Sequence, residues 1–160
     1  MNRVNLKELA GQLDCMMEEW SYFVDKSTCA IITIHDTYLG YAGEPEEIPT
    51  VLAEWERYEI EKALALLEKW NELIPLPGKY DVNEYGMMED FIESVQDDNI
   101  RDCLYVAIAG RGAFRRFKDI VGRFGTLDKW YDFKNDALLS FAEKWCTEND
   151  LPYSLDENMS

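Results

Sequence analysis

The chain is expected to fold as an α+β domain, mostly helical, with one β-hairpin or small antiparallel sheet packed against five or six helices. Three observations lead there. Apolar residues recur at three- and four-residue steps along most of the sequence, as one face of an α-helix requires. One stretch breaks that rhythm: Tyr22-Phe23-Val24 and Ala30 to Ile34 flank the polar turn cluster Asp25-Lys26-Ser27-Thr28, joining aromatic and β-branched runs. The composition, 47% hydrophobic and 13% aromatic over 160 residues, supplies a core for one domain without metals or disulfides.

Taken in order, Asn5 to about Met17 reads as an amphipathic helix whose stripe is Leu6, Leu9, Leu13, Met16 and Trp20. The hairpin follows. Its second strand is apolar on both faces and so requires cover by helices, and a lone hairpin is marginal without them or further strands. Thr37 to Pro49, with Gly40, Gly43, Pro45 and the acids Glu44, Glu46 and Glu47, reads as a loop. Thr50 opens a long helix to about Ile74, carrying Leu52, Ile60, Ala63, Leu64, Leu67 and Trp70, and Pro75-Leu76-Pro77-Gly78 stops it.

Shorter helices come next. Asp81 and Glu84 have capping-box spacing ahead of Tyr85, Met88, Phe91, Ile92 and Val95. Asp97 or Asp98 caps a helix bearing Ile100, Leu104, Ala107 and Ile108. Gly110 and Gly112 punctuate the chain before Phe114, Phe117, Ile120, Val121 and Phe124, and Gly125 ends that helix. Thr126 caps the last one, with Leu127, Trp130, Phe133, Ala137, Phe141 and Trp145, closed by Asn149-Asp150-Leu151-Pro152. Residues 1–153 are expected to form one composite domain, with 75–78 as the place where it would subdivide, and 154–160 a flexible tail.

Charge narrows the function classes. Against 16 basic residues stand 32 acidic ones, a net −16 that repels bare nucleic acid and anionic membrane at long range. The acids are dispersed and lack phosphate-like spacing, so a solvated surface is expected rather than a DNA mimic. Glu8, Asp14, Glu18 and Glu19 occupy the first twenty positions, where a secretory signal would be apolar. No window approaches the roughly 20 apolar residues of a membrane span. Cys15, Cys29, Cys103 and Cys146 lie far apart in apolar neighbourhoods, which predicts buried free thiols in a reducing cytoplasm.

One segment reverses the charge. From Gly110 to Arg123, the five cations Arg111, Arg115, Arg116, Lys118 and Arg123 against Asp119 give +4, leaving −20 for the remainder. This basic island sits where a glycine-punctuated turn enters a helix, whose free amides and dipole favour anions. Arg111, Gly112, Arg115, Arg116 and Lys118 are therefore the candidate contacts for a phosphate, nucleotide or RNA. The competing expectation, favoured in so acidic a chain, is an internal brace of salt bridges to Glu89, Asp90, Glu93, Asp97 and Asp98. No P-loop lysine follows, and no strand precedes the Gly-x-Gly pair. Phe114, Phe117 and Phe124 could stack bases, but their helical spacing predicts core.

Other chemistry finds less support. His35, the one histidine, is followed by Asp36 and reads as incidental rather than a general base. With one histidine and no cysteine cluster, no zinc site is expected. Glu54, Glu56, Glu59 and Glu61 around Trp55 and Tyr58 read as a solvated helix face, without an EF-hand loop or Glu-x-x-His pair. No nucleophile elbow surrounds any Ser or Thr. No catalytic residue, metal or cofactor is assigned.

Tyr85-Gly86-Met87-Met88-Glu89-Asp90-Phe91-Ile92 followed by Gly110-Arg111-Gly112-Ala113-Phe114-Arg115-Arg116-Phe117-Lys118-Asp119 resembles the bacterial Uncharacterised Protein Family 0158. Tyr80-Asp81, Trp130-Tyr131, Phe133 and Trp145 before Asn149-Asp150-Leu151 are similar to its pattern, so the resemblance covers most of Ser21 to Tyr153. The turn Lys26-Ser27-Thr28-Cys29 departs from the family's Thr-Gly-Glu-Val type. The resemblance implies a cytoplasmic bacterial protein and transfers no catalytic residue. The leading expectation is a non-enzymatic cytoplasmic interaction or regulatory protein that meets a protein partner. The alternatives are a nucleic-acid or phosphate binder using the Arg111–Arg116 helix start, and an enzyme with a carboxylate site that sequence does not locate.

Overall fold

A computed structural model describes residues 2–155, so the expected tail lies outside the described residues from 156 onward. The chain is α+β and mostly helical, and it divides into two compact units. The first comprises Met1–Pro77 with Ala142–Ser160, the second Gly78–Phe141, so the first break falls inside the Pro75–Gly78 stretch.

In the first unit, β1 (Val4–Asn5) leads into α1 (Leu6–Asp14), where the Asn5 side chain accepts from the Glu8 amide at 3.1 Å. Leu6, Leu9 and Leu13 of the expected stripe are buried, together with Ala10. Trp20 leaves that stripe and opens β2 (Trp20–Asp25), which pairs antiparallel with β3 (Ile31–His35) in the register Phe23↔Ile32 and Val24↔Ile31. The hairpin is closed by Cys29, which adopts a left-handed φ of 60°.

The third strand corrects the expectation of one helix from Thr50 to Ile74. That helix is α3 (Glu54–Glu68). A single 3-10 turn follows at Trp70–Glu72, then β4 (Leu73–Pro75) on the free edge of β2, with Val24↔Ile74. Pro75 disfavours helical ψ at Ile74, and β2 offers unpaired backbone groups there. Lys26 donates to the Glu72 carbonyl at 2.8 Å and Leu76 to Tyr22 at 3.0 Å, tying both ends of the pairing.

Residues 37–49 are also corrected from loop to helix. α2 (Asp36–Gly43) is capped by His35, whose Nδ1 accepts from the Thr37 amide at 3.2 Å, and Pro45–Glu47 forms a further 3-10 turn. Tyr38, Leu39 and Ala42 supply an apolar face that packs on the core of Phe23, Ile34, Ala63, Leu66 and Leu73, and this packing overrides Gly40 and Gly43. Under the hairpin, Asp25 is fully buried. It accepts from the Ser27 amide at 2.8 Å, the Ser27 hydroxyl at 2.7 Å and Lys69 Nζ at 2.5 Å. A two-residue parallel pairing of β1 with β5 (Tyr153–Ser154) completes the unit, which places Ser154 in a strand.

The second unit holds α4 (Lys79–Val82), α5 (Glu84–Ser94), α6 (Asp98–Ala107), α7 (Ala113–Arg123) and the first part of α8 (Leu127–Glu148). The expected capping box is replaced. Asp81 accepts from the Gly78 amide inside α4, and Asn83, at a left-handed φ of 54°, caps α5 through Gly86. Asp97 caps α6 as predicted, accepting from Asn99 and Ile100. Thr126 immediately precedes α8 as expected, its carbonyl accepting from the Trp130 amide at 3.1 Å, and its hydroxyl donates to the Val121 carbonyl at 3.2 Å. The core is an edge-to-face aromatic cluster, with Phe117 and Trp130 centroids 4.8 Å apart and Phe91 at 5.5 Å from Trp130 and from Phe133. Trp130 is fully buried, and its Nε1 has no hydrogen-bond partner among the described residues.

The thiols divide. Cys29 and Cys146 are buried, whereas Cys15 and Cys103 are exposed, correcting the expectation for those two. Cys15 lies just past the last residue of α1, and Cys103 faces an open groove described below. Burial pushes the Cys146 thiol up to about 12, and burial, then the Asp25 charge, raises Cys29. Among the described residues no helix is long and apolar enough to cross a membrane.

Candidate functional site

The basic island folds as the turn between α6 and α7 and the body of α7. Gly110 and Gly112 hold left-handed φ of 77° and 76°, and a Cβ on Gly112 would lie 3.0 Å from Arg116 Nη1. This closeness follows from what Arg116 does. Its guanidinium folds back over the turn, Nε donating to the Ala107 carbonyl at 2.9 Å, Nη2 to Ala109 at 2.6 Å, and Nη1 to Arg111. The Tyr85 hydroxyl donates to Ile108 at 3.0 Å. The carbonyls that the end of α6 leaves without helical partners thus receive donors from two side chains.

Arg116 is therefore a brace, but onto backbone carbonyls rather than acids. The other cations behave differently. Arg111, Arg115, Lys118 and Arg123 are exposed and make no ion pair among the described residues. The acids expected to neutralise them are engaged elsewhere or exposed. Asp97 caps α6, Asp98 pairs with Arg101, and Glu89, Asp90 and Glu93 stand in solvent. Gly112 starts α7 without a side-chain cap.

Alongside lies an open groove of about 630 Å³ between α6 and α7. Cys103 and Val106 line it from α6, Ile120 and Arg123 from α7, with Asp102 and Asp119 also contributing. The i, i+3, i+4, i+7 spacing of Arg116, Asp119, Ile120 and Arg123 places them on one face of α7. Val106 is 75% exposed, a large apolar side chain with little cover. The phenylalanine stripe divides: Phe117 is fully buried in the core, while Phe114 and Phe124 are 46% and 42% exposed.

His35 sits in the first unit, where it caps α2 and lies with Nε2 3.6 Å from Glu19. Of the glutamates on α3, Glu56 accepts from the Ala53 amide at 3.2 Å. Glu59 lines an aromatic-walled cavity. Among the described residues no group of three or more His, Cys, Asp or Glu is gathered as a metal site would require. Asp25 is the buried acid, and its carboxyl is held low, not raised as a general acid needs. Sequence reasoning placed the island but missed the Arg116 clamp. The one signal for it is an arginine four residues beyond a left-handed glycine, within reach of the preceding helix end.

No solved structure shows a significant match to the chain. It is 29% identical over 89 residues to the "UPF0158 protein PA5073" of Pseudomonas aeruginosa, covering 54% of this chain. The matched segment spans 58% of that relative's own length. A match to the Uncharacterised protein family (UPF0158) extends over residues 4–160, and the chain belongs to that family.

Proposed function

We propose that the chain is a non-catalytic cytoplasmic interaction protein whose α6–α7 groove receives an acidic, amphipathic segment of a protein partner. One observation carries this: in a chain of net −16, Arg123 at the groove and Arg111, Arg115 and Lys118 on the adjoining turn and helix make no ion pair among the described residues. Free arginines in so acidic a molecule would readily find carboxylates if packing were their role. Arg123 stands instead beside Val106 and Ile120, on a wall that also carries Asp102 and Asp119. The apolar floor offers burial, and the cations offer steering and register to a segment with an acidic rim. Arg116 and Tyr85 keep the turn rigid, so the surface is formed before binding.

The test uses short amphipathic peptides that share one apolar face and differ in carrying Glu or Lys on the rim, followed by fluorescence anisotropy. The Glu-rimmed peptide should bind, the Lys-rimmed one should not, and Val106→Asp or Arg123→Glu should abolish the signal. A single-stranded oligonucleotide is the rival probe, because Phe114 is partly exposed on the helix that carries Arg115. If the oligonucleotide binds with a steep salt dependence and loses affinity in Arg111→Ala/Arg115→Ala, the phosphate-binding reading replaces this one. Binding of neither probe rejects the groove as a contact surface.

A further inference from the structure

The first unit contains a second cavity, of about 390 Å³, walled from three stretches remote in sequence. Trp20 comes from β2, His35, Thr37 and Tyr38 from the β3–α2 junction, and Trp55 and Glu59 from α3. Neighbouring rings meet nearly at right angles. Trp20 and His35 lie 5.3 Å apart at 77°, His35 and Tyr38 6.1 Å at 63°, and Tyr38 and Trp55 6.0 Å at 80°. These pairs lack parallel overlap and Trp55 is 62% exposed, so π surface remains available to a guest. The volume falls within the range of small-molecule sites, about 300–1,000 Å³.

The charge around the cavity has one sign. Glu59 is half-buried and makes no hydrogen bond or ion pair among the described residues. Lys62, one turn further along α3, sends its ammonium to the Thr33 carbonyl at 2.9 Å instead. Glu19 lies beside His35, whose Nδ1 accepts from the Thr37 amide. Partial burial, then the Glu56 and Glu59 charges, raise the Tyr38 phenol.

A primary ammonium seeks acceptors for three N–H donors, whereas these walls are mainly aromatic, with Glu59 and the Thr37 hydroxyl among the polar groups. A fully alkylated nitrogen carries charge without donors and is weakly hydrated, so aromatic walls and one carboxylate suffice for it. We propose that this cavity binds a small free quaternary-ammonium cation, held against Trp20, Tyr38 and Trp55 with Glu59 as its counter-charge. The assignment is independent of the groove on α6 and α7, and it uses α3 glutamates that the sequence presents as an ordinary solvated face.

The test is calorimetric titration of the full chain with choline, and with 3,3-dimethylbutanol as its uncharged isostere, alongside indole N–H shifts by NMR. Choline should bind saturably and about tenfold or more tighter than the alcohol. Trp55→Ala should weaken choline about tenfold, Trp55→Phe less, and Glu59→Gln several-fold. Trp55 is 62% exposed, so these variants should retain the wild-type unfolding midpoint. Equal binding of the two isosteres, no saturable binding of choline, or unchanged binding in a folded Trp55→Ala variant would each overturn the proposal. Tighter binding of a trimethyl-lysine peptide than of choline would overturn the free-ligand assignment in favour of protein recognition.

Discussion

Replacing Lys69 by Met isolates the carboxylate around which the hairpin turn is built. Burial alone would raise the Asp25 carboxyl. The Lys69 hydrogen bond, the two Ser27 hydrogen bonds and the Lys69 charge outweigh it and hold the group at about 2, against an ordinary 3.8. Close to two pKa units corresponds to about 2.5 kcal/mol. Because the folded-state value is depressed, that stability is fully present above pH 3.8 and is lost as pH falls through about 2. In Lys69→Met the buried charge keeps only the Ser27 donors. Lys69 is itself 41% exposed, so water replaces part of its role, and the expected loss at neutral pH is about 1.5–3 kcal/mol. Urea unfolding across the acid range measures it. The gap between wild type and variant should narrow as pH falls, because the variant's Asp25 protonates earlier. A gap below about 0.5 kcal/mol at neutral pH, or one that does not change with pH, would refute the reasoning.

Further outcomes follow from the same reading. Arg116→Ala removes three donors from the end of α6 and should cost about 1.5–3 kcal/mol in urea unfolding, and Arg116→Lys should recover less than half, since an ammonium lacks the guanidinium fork. Two glycines of the same region should respond with opposite signs. Gly112→Ala meets both a φ of 76° and the Arg116 guanidinium, and should lose about 1–2 kcal/mol. Gly122→Ala, inside α7 with open space around it, should gain about 0.5–1 kcal/mol. In a thiol-reactive disulfide assay, Cys15 and Cys103 should react in the native protein and Cys29 and Cys146 only on unfolding. Rapid native labelling of all four would contradict the burial.

The parts legible in the sequence are those whose signal is local. The helical period of Phe91, Phe117 and Trp130 marks residues that meet in one aromatic cluster, and the turn residues around Ser27 mark the hairpin. β4 was hidden because Leu67, Trp70 and Ile74 keep a helical step, and the strand exists only because β2 presents a free edge. α2 was hidden by its two glycines, and its stability lies in Tyr38, Leu39 and Ala42 meeting a core formed elsewhere. β1 and β5 are two residues each, too short for any alternation to show. For the site, glycine punctuation and charge reversal located the island. The Arg116 acceptors are backbone carbonyls, which no residue type announces. Glu59 reads as a solvated helix residue until Trp20 and Tyr38 are brought to it from two other stretches.

The first unit is assembled from both ends of the chain, Val4 pairing with Tyr153, while 78–141 forms the second unit from one uninterrupted stretch. Synthesis proceeds from the N-terminus, so the two units become complete in the reverse of the order in which they begin. Every residue of the second has left the ribosome before Cys146, Leu151 and the β5 strand can take their buried or paired places in the first. Until then β1 has no partner strand. The stretch from residue 142 is thus the latch of a segment translated well before it, and a chain released early near residue 141 would hold all of its second unit and an unclosed first one.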